Sequence, residues 1–156
     1  MGVPCLTLGR VTRKNYAMRE TMGTRSSIGC KMPRGKVAYV ECRYDGGLAH
    51  VGLLLAKHYN DYDKALELIS GGSIVSLRED PNDIVRKRPK GCEGLEDCNV
   101  KEAYWIGDFL LNSNGEYKYL YDKGRWYVVG GLYESDCVTP LRGPLPLAKA
   151  IEIWLK

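Results

Sequence analysis

Cys42, Asp45 and His50 fall within nine residues, and a thiol, a carboxylate and an imidazole at that spacing could build an activated nucleophile. Such a nucleophile must exist as a thiolate within reach of its base. The alternation around Cys42 argues against it. Ala38, Val40, Cys42 and Tyr44 share one face of an extended run, the better core face, and a free cysteine there is usually a small buried hydrophobe. His58 lies on the apolar stripe of a helix and reads as a core histidine with one satisfied nitrogen, whereas His50 is expected in solvent, titrating near neutral pH. Metal binding fares no better. Cys92 and Cys98 are not a CxxC pair, and the histidines are not spaced i, i+4, so zinc would need ligands from distant segments and a Cys92–Cys98 disulfide is an equal alternative. The glycine pairs at 46/47, 71/72 and 130/131 complete no phosphate-binding or dinucleotide loop. No catalytic residue, metal or cofactor is assigned.

Binding chemistry is better represented. Arg25 precedes one extended run and Arg43 ends the next, while Asp45 and His50 lie beside the following helix start. Two guanidiniums converging near a helix N-terminus would suit a phosphate or another anion. Further on, Tyr117, Tyr119 and Tyr121 alternate with Lys118 and Leu120, and the tyrosines with Lys118, Arg125 and Trp126 could form an aromatic and cationic face for a ligand or a protein. The competing expectation is that this hairpin packs one side under helices.

These residues need a scaffold, and the pattern along the chain supplies one. Extended runs at 26–31 and 36–44 flank a Pro/Gly-bearing turn and read as a hairpin. Helical periodicity follows over 49–59, with Val51, Leu54, Leu55 and His58 inward. A second helix spans 62–69, capped by Asn60 or Asp61 and closed by Gly71-Gly72. Residues 73–77 lean to strand. Residues 78–103, with the basic run Arg86 to Lys90, read as a long loop or insertion. The mostly apolar 103–111 reads as a strand, 116–129 as a hairpin turning at Asp122-Lys123-Gly124, and 147–155 as a helix with Ala150, Ile151 and Trp154 inward. The order predicts an α+β fold: a mainly antiparallel sheet with two central helices and a C-terminal helix packed on one face.

Composition narrows the class. The 156 residues are 44% hydrophobic and 27% charged, which suits one globular domain. The net charge of +4 is concentrated in residues 1–21, where Arg10, Arg13, Lys14 and Arg19 face Glu20 alone. That segment reads as a flexible basic leader, and 22–156 as the domain. The body is close to neutral, which speaks against nucleic-acid binding by the folded part. No stretch is long and apolar enough for a membrane span, the N-terminus lacks the apolar core of a signal peptide, and the six cysteines are read as reduced thiols in a cytosol.

Two stretches taken together carry a likeness. Thr24-Arg25-Ser26-Ser27-Ile28-Gly29 is followed by Cys42-Arg43-Tyr44-Asp45-Gly46, Val51-Gly52, Leu54-Leu55, His58-Tyr59, Asp61 and Lys64, and the hairpin from Glu116 to Trp126 closes the pattern. This arrangement resembles a group of small, uncharacterised tailed-bacteriophage proteins. Those proteins carry His-Trp where this chain has Arg43-Tyr44, so a mechanism using that imidazole does not transfer. The resemblance implies an accessory phage protein in the host cytoplasm. It would bind and neutralise an antiviral-defence component, by sequestering a nucleotide-like immune signal or masking an effector protein. Homo-oligomers are open, and a Cys/His enzyme or a nucleic-acid binder are the alternatives.

Overall fold

A computed structural model describes residues 24–86, 100–130 and 144–155, with side chains to residue 153. Ser26–Lys31 (β1) and Val37–Cys42 (β2) pair antiparallel with Ser26 opposite Cys42 and Lys31 opposite Val37. Ile74–Ser76 (β3) runs parallel to β2, and Val85–Arg86 (β4) continues that side of the sheet. Lys101–Ala103 (β5) pairs with the first half of β2. On the other side, Tyr117–Asp122 (β6) lies parallel to β1. Arg125–Val129 (β7) and Leu145–Pro146 (β8) follow, both antiparallel. The result is an eight-stranded, mainly antiparallel sheet of order β4-β3-β2-β1-β6-β7-β8, with β5 beside β2. The β6–β7 turn places Lys123 and Gly124 both at positive φ, the mirror-image turn whose twist matches that of the strands.

Three helices cover one face. A wide π-helical turn, Leu48–Gly52, leads into Leu53–His58 (α1), and Tyr62–Ser70 (α2) follows. Asp61 caps α2 by accepting the Lys64 N–H at 2.7 Å, satisfying a donor the helix cannot pair itself. The C-terminal helix, Leu147–Leu155 (α4), is the third. The main core under these helices joins Ile28, Val40 and Cys42 of the sheet to Val51, Leu55, Ala65, Ile69 and Ala150. Leu54 packs against its edge as expected, whereas Tyr44, assigned to the core face, is exposed beyond the end of β2. Trp154 on the expected stripe lies outside the described side chains, as do the leader 1–21, Lys87 to Lys90, Cys92 and Cys98.

The segment expected as a strand at 103–111 is instead the end of β5 followed by a helix, Ile106–Asn112 (α3). Local chemistry explains the difference. The Asp108 carboxylate reaches back to accept the Tyr104 N–H at 2.9 Å and receives the Asn112 amide at 2.6 Å. At the other end, Ser113 Oγ and Lys118 Nζ donate to the Phe109 and Leu110 carbonyls. The Asp108 contacts fix the chain where it enters the helix, and the last carbonyls are supplied with side-chain partners. Phe109 drops onto the sheet face opposite the other helices, forming a second small core with Val37, Ala103 and Leu120. Gly29 makes room for it, since a Cβ there would stand 2.8 Å from Val37 and 3.0 Å from Phe109. The sheet is thus covered on both faces.

Candidate anion-binding cleft

Carrying the β1–β2 register one residue past Ser26 and Cys42 sets Arg25 directly across from Arg43. Side chains at such positions share one sheet face, here the face that also carries Glu41. All three line one cleft of about 300 Å³, together with Asn114, Val75 of β3 and Ser73 just before it. The backbone around it is well fixed. Arg43 N–H donates to Ile74 O at 2.9 Å and Tyr44 N–H to Val75 O at 3.1 Å, extending the β2–β3 pairing. Glu116 N–H donates to Arg25 O at 2.8 Å. Gly115, at φ 109, lets the turn after α3 approach Arg25 this closely, because a Cβ would stand 2.7 Å from Ser26 Cα. That approach delivers Asn114 to the cleft wall.

The charges are unequally partnered. Glu41 Oε1 accepts from Lys101 Nζ at 2.7 Å and from Asn114 Nδ2 at 3.0 Å. The Lys101 hydrogen bond, chiefly, with help from Asn114 and the nearby charges of Lys101 and Arg25, holds the Glu41 carboxyl below its usual range. By contrast, neither the Arg25 nor the Arg43 guanidinium makes a hydrogen bond or ion pair among the described residues. The Arg43 guanidinium sits 5.4 Å from the centre of the Tyr44 ring, a cation–π contact. Two like charges directly opposite on neighbouring strands repel. An anion between them turns that repulsion into two attractions, and planar guanidiniums can each give it paired hydrogen bonds.

The remaining expected residues do not join this cleft. Asp45 stands at φ 57 in the connection to the π-helical turn, and its carbonyl accepts the Val51 N–H at 3.3 Å. His50, expected in solvent, is half-buried and its Nε2 meets Leu77 O at 2.8 Å. The arginines therefore converge away from the helix start that was expected to accompany them. His58 is half-buried too and pairs with Glu79 at 3.0 Å. The expected aromatic and cationic surface is corrected outright. Tyr117, Tyr119, Tyr121 and Trp126 all enter the main core, because strand alternation puts them on the face of Ile28 and Cys30. Their polar atoms do not prevent this: Tyr119 Oη donates to Gly46 O at 2.7 Å and Trp126 Nε1 to Tyr59 O at 2.9 Å. Lys118 is spent on the Leu110 carbonyl, and Arg125 lies exposed at the hairpin end.

Nucleophilic chemistry at Cys42 is disfavoured by its surroundings. The side chain is fully buried, and burial pushes its thiol up to about 11, so it stays protonated at neutral pH. Its Sγ approaches Tyr44 O at 3.5 Å, and no hydrogen bond joins it to His50 among the described residues. Among the described residues, no group of three or more His, Cys, Asp or Glu is placed to hold a metal ion, and no helix is long and apolar enough to cross a membrane.

Sequence reasoning found both arginines but missed Glu41, Lys101 and Asn114. Glu41 was legible, since it stands two residues before Arg43 on the same strand face. Lys101 and Asn114 arrive from distant segments that no local pattern ties to β2. No family model, curated protein or solved structure matches the chain.

Proposed function

We propose that this protein captures a small phosphorylated molecule between Arg25 and Arg43 by binding, without catalysis. In the setting that the phage resemblance implies, this is an accessory protein that neutralises a host antiviral-defence component by sequestering a nucleotide-like signal. The observation carrying the reading is that Arg25 and Arg43, at the adjoining ends of β1 and β2, line one cleft, with neither guanidinium hydrogen-bonded or ion-paired among the described residues. Like charges so placed cost stability unless a ligand uses them. The cleft volume of about 300 Å³ lies at the small end of ligand pockets, which suits a mononucleotide-sized molecule. The protonated, buried Cys42 weighs against the enzyme alternative.

Isothermal titration with phosphate and a panel of nucleotides tests the proposal. Arg43→Ala should weaken a phosphorylated ligand by about 1.5–3 kcal/mol, the worth of a hydrogen bond to a charged group, and Arg43→Lys should recover only part of that. Unchanged binding in Arg25→Ala and Arg43→Ala would remove the site.

A second reading, masking of an effector protein, has one observation in its favour. Tyr104, Trp105 and Leu111 flank or belong to α3 and are 81%, 62% and 79% exposed. Aromatic residues so displayed are characteristic of interface anchors. Failure of every phosphorylated molecule to bind, with capture of a defined host protein lost in Trp105→Ala, would favour this reading.

A further inference from the structure

The arginine pair says only that the ligand is anionic, whereas Glu41 carries information about the rest of it. The Glu41 carboxylate has its charge balanced by Lys101 Nζ at 2.7 Å. Here it is held in place with one oxygen to spare. Both of its donors, Lys101 Nζ and Asn114 Nδ2, converge on Oε1. Oε2 receives no hydrogen bond among the described residues, and neither does the Asn114 amide oxygen. The carboxylate is ionised, because the Lys101 and Asn114 donors hold it below its usual range. An ionised carboxylate has only acceptor sites, so the group it meets must donate.

We infer that the ligand is a phosphorylated sugar, seated with its phosphate between Arg25 and Arg43 and its neighbouring 2- and 3-hydroxyls donating to Glu41 Oε2 and Asn114 Oδ1. This rests on the anion-binding reading above and narrows it to one class. A bare inorganic anion leaves Oε2 facing a like charge. An acyl phosphate or phosphorylated peptide brings no row of hydroxyl donors. A sugar phosphate supplies phosphate and hydroxyls a few bonds apart, and its size suits a cleft of about 300 Å³. The sugar is either free or part of a nucleotide, since both present the same groups to these residues.

Calorimetric titration of the full chain with inorganic phosphate, ribose 5-phosphate, 2-deoxyribose 5-phosphate and adenosine 5′-monophosphate separates the possibilities. The expected order places ribose 5-phosphate tighter than its 2-deoxy analogue by about tenfold or more, the worth of one hydrogen bond to a charged acceptor. In Glu41→Gln, Lys101 and Asn114 retain the single amide oxygen, and the cleft then faces an NH₂ donor. The preference for ribose should fall to about one, while arginine-dependent phosphate binding persists. Adenosine 5′-monophosphate tighter than ribose 5-phosphate identifies a nucleotide, and the reverse identifies a free sugar phosphate; both support the inference. Equal binding of the two pentose phosphates by the wild type overturns it and leaves the anion site standing, and this arm needs no variant to fold. A ribose preference that survives in folded Glu41→Gln overturns it as well. Absence of binding by all four probes removes both the inference and the site beneath it.

Discussion

Replacing Arg25 and Arg43 by alanine, singly and together, should reveal a coupling whose sign depends on phosphate. At a separation of ~6 Å in water, Coulomb's law gives two unit charges a repulsion of about 0.7 kcal/mol, within the roughly 0.2–1 kcal/mol of cross-strand pairs. Each single substitution mixes this relief with a loss. Arg25 gives up its attraction to Glu41, and Arg43 gives up its contact with Tyr44, worth about 0.5–1 kcal/mol at an exposed site. The singles should therefore lie close to the wild type, and only the double-mutant cycle isolates the pair. Urea unfolding in a low-salt, phosphate-free buffer should give an unfavourable coupling of about 0.7 kcal/mol, shrinking toward zero in ~1 M sodium chloride, where the screening length is about 3 Å. Adding phosphate at constant ionic strength should reverse the sign, because the two guanidiniums then hold one anion jointly. Phosphate at 100 times its dissociation constant should raise wild-type stability by about 2.7 kcal/mol, and the double variant hardly at all. A favourable coupling without any anion would mean that the arginines are structural, braced through Glu41. A coupling that phosphate leaves unchanged would refute the cleft as an anion site.

Two further outcomes test the scaffold. Trp126→Phe removes the donor to the buried Tyr59 carbonyl and should cost about 1–3 kcal/mol in urea unfolding, with a cost near zero refuting the assigned bond. The Cys42 thiol, raised by burial from 9.0 to about 11, implies an alkaline limb of stability. Above pH ~9 the unfolded chain releases that proton while the folded chain keeps it, so unfolding stability falls as pH rises toward 11. Urea midpoints against pH should show this fall reduced in Cys42→Ala, and equal slopes in the two proteins would sink the assignment.

The hairpins were legible in the sequence because their signals are local. At 117–129 the alternation, the Asp122-Lys123-Gly124 turn and the return strand all agree, and the structure pairs Tyr121 with Trp126 across that turn. What alternation cannot say is which face is buried. The tyrosines were equally compatible with a surface and a core, and the choice rests on β6 lying parallel to β1, a pairing between segments about ninety residues apart in the chain. The same limit applies to Val37 and Tyr39. Alternation leaves them on the face of β2 away from Val40 and Cys42, yet Val37 is fully buried because a further helix covers that side.

That helix links the misread segment to the candidate site. Ala103 to Leu111 is apolar enough to suggest a strand, and short apolar runs do not distinguish a strand from a buried helix. Asp108 favours the helix: its carboxylate ties back the Tyr104 N–H, ahead of the first turn, and holds the Asn112 amide four residues on, a spacing that a helix brings together and a strand does not. Once α3 forms, Phe109 anchors it against Gly29 and Val37, and its last turn runs into Ser113, Asn114 and Gly115. Ser27 Oγ, from β1, donates to the Asn114 carbonyl and fastens the turn to the sheet edge where Arg25 emerges. Asn114 can then reach Glu41, while β5, leading into the same helix, brings Lys101 to that carboxylate from the other side. A strand over 103–111 would leave Glu41 without this support and the arginines without a wall beside them. The candidate cleft thus rests on α3, whose local pattern pointed to a strand, and on β5, which falls in the segment read as a loop.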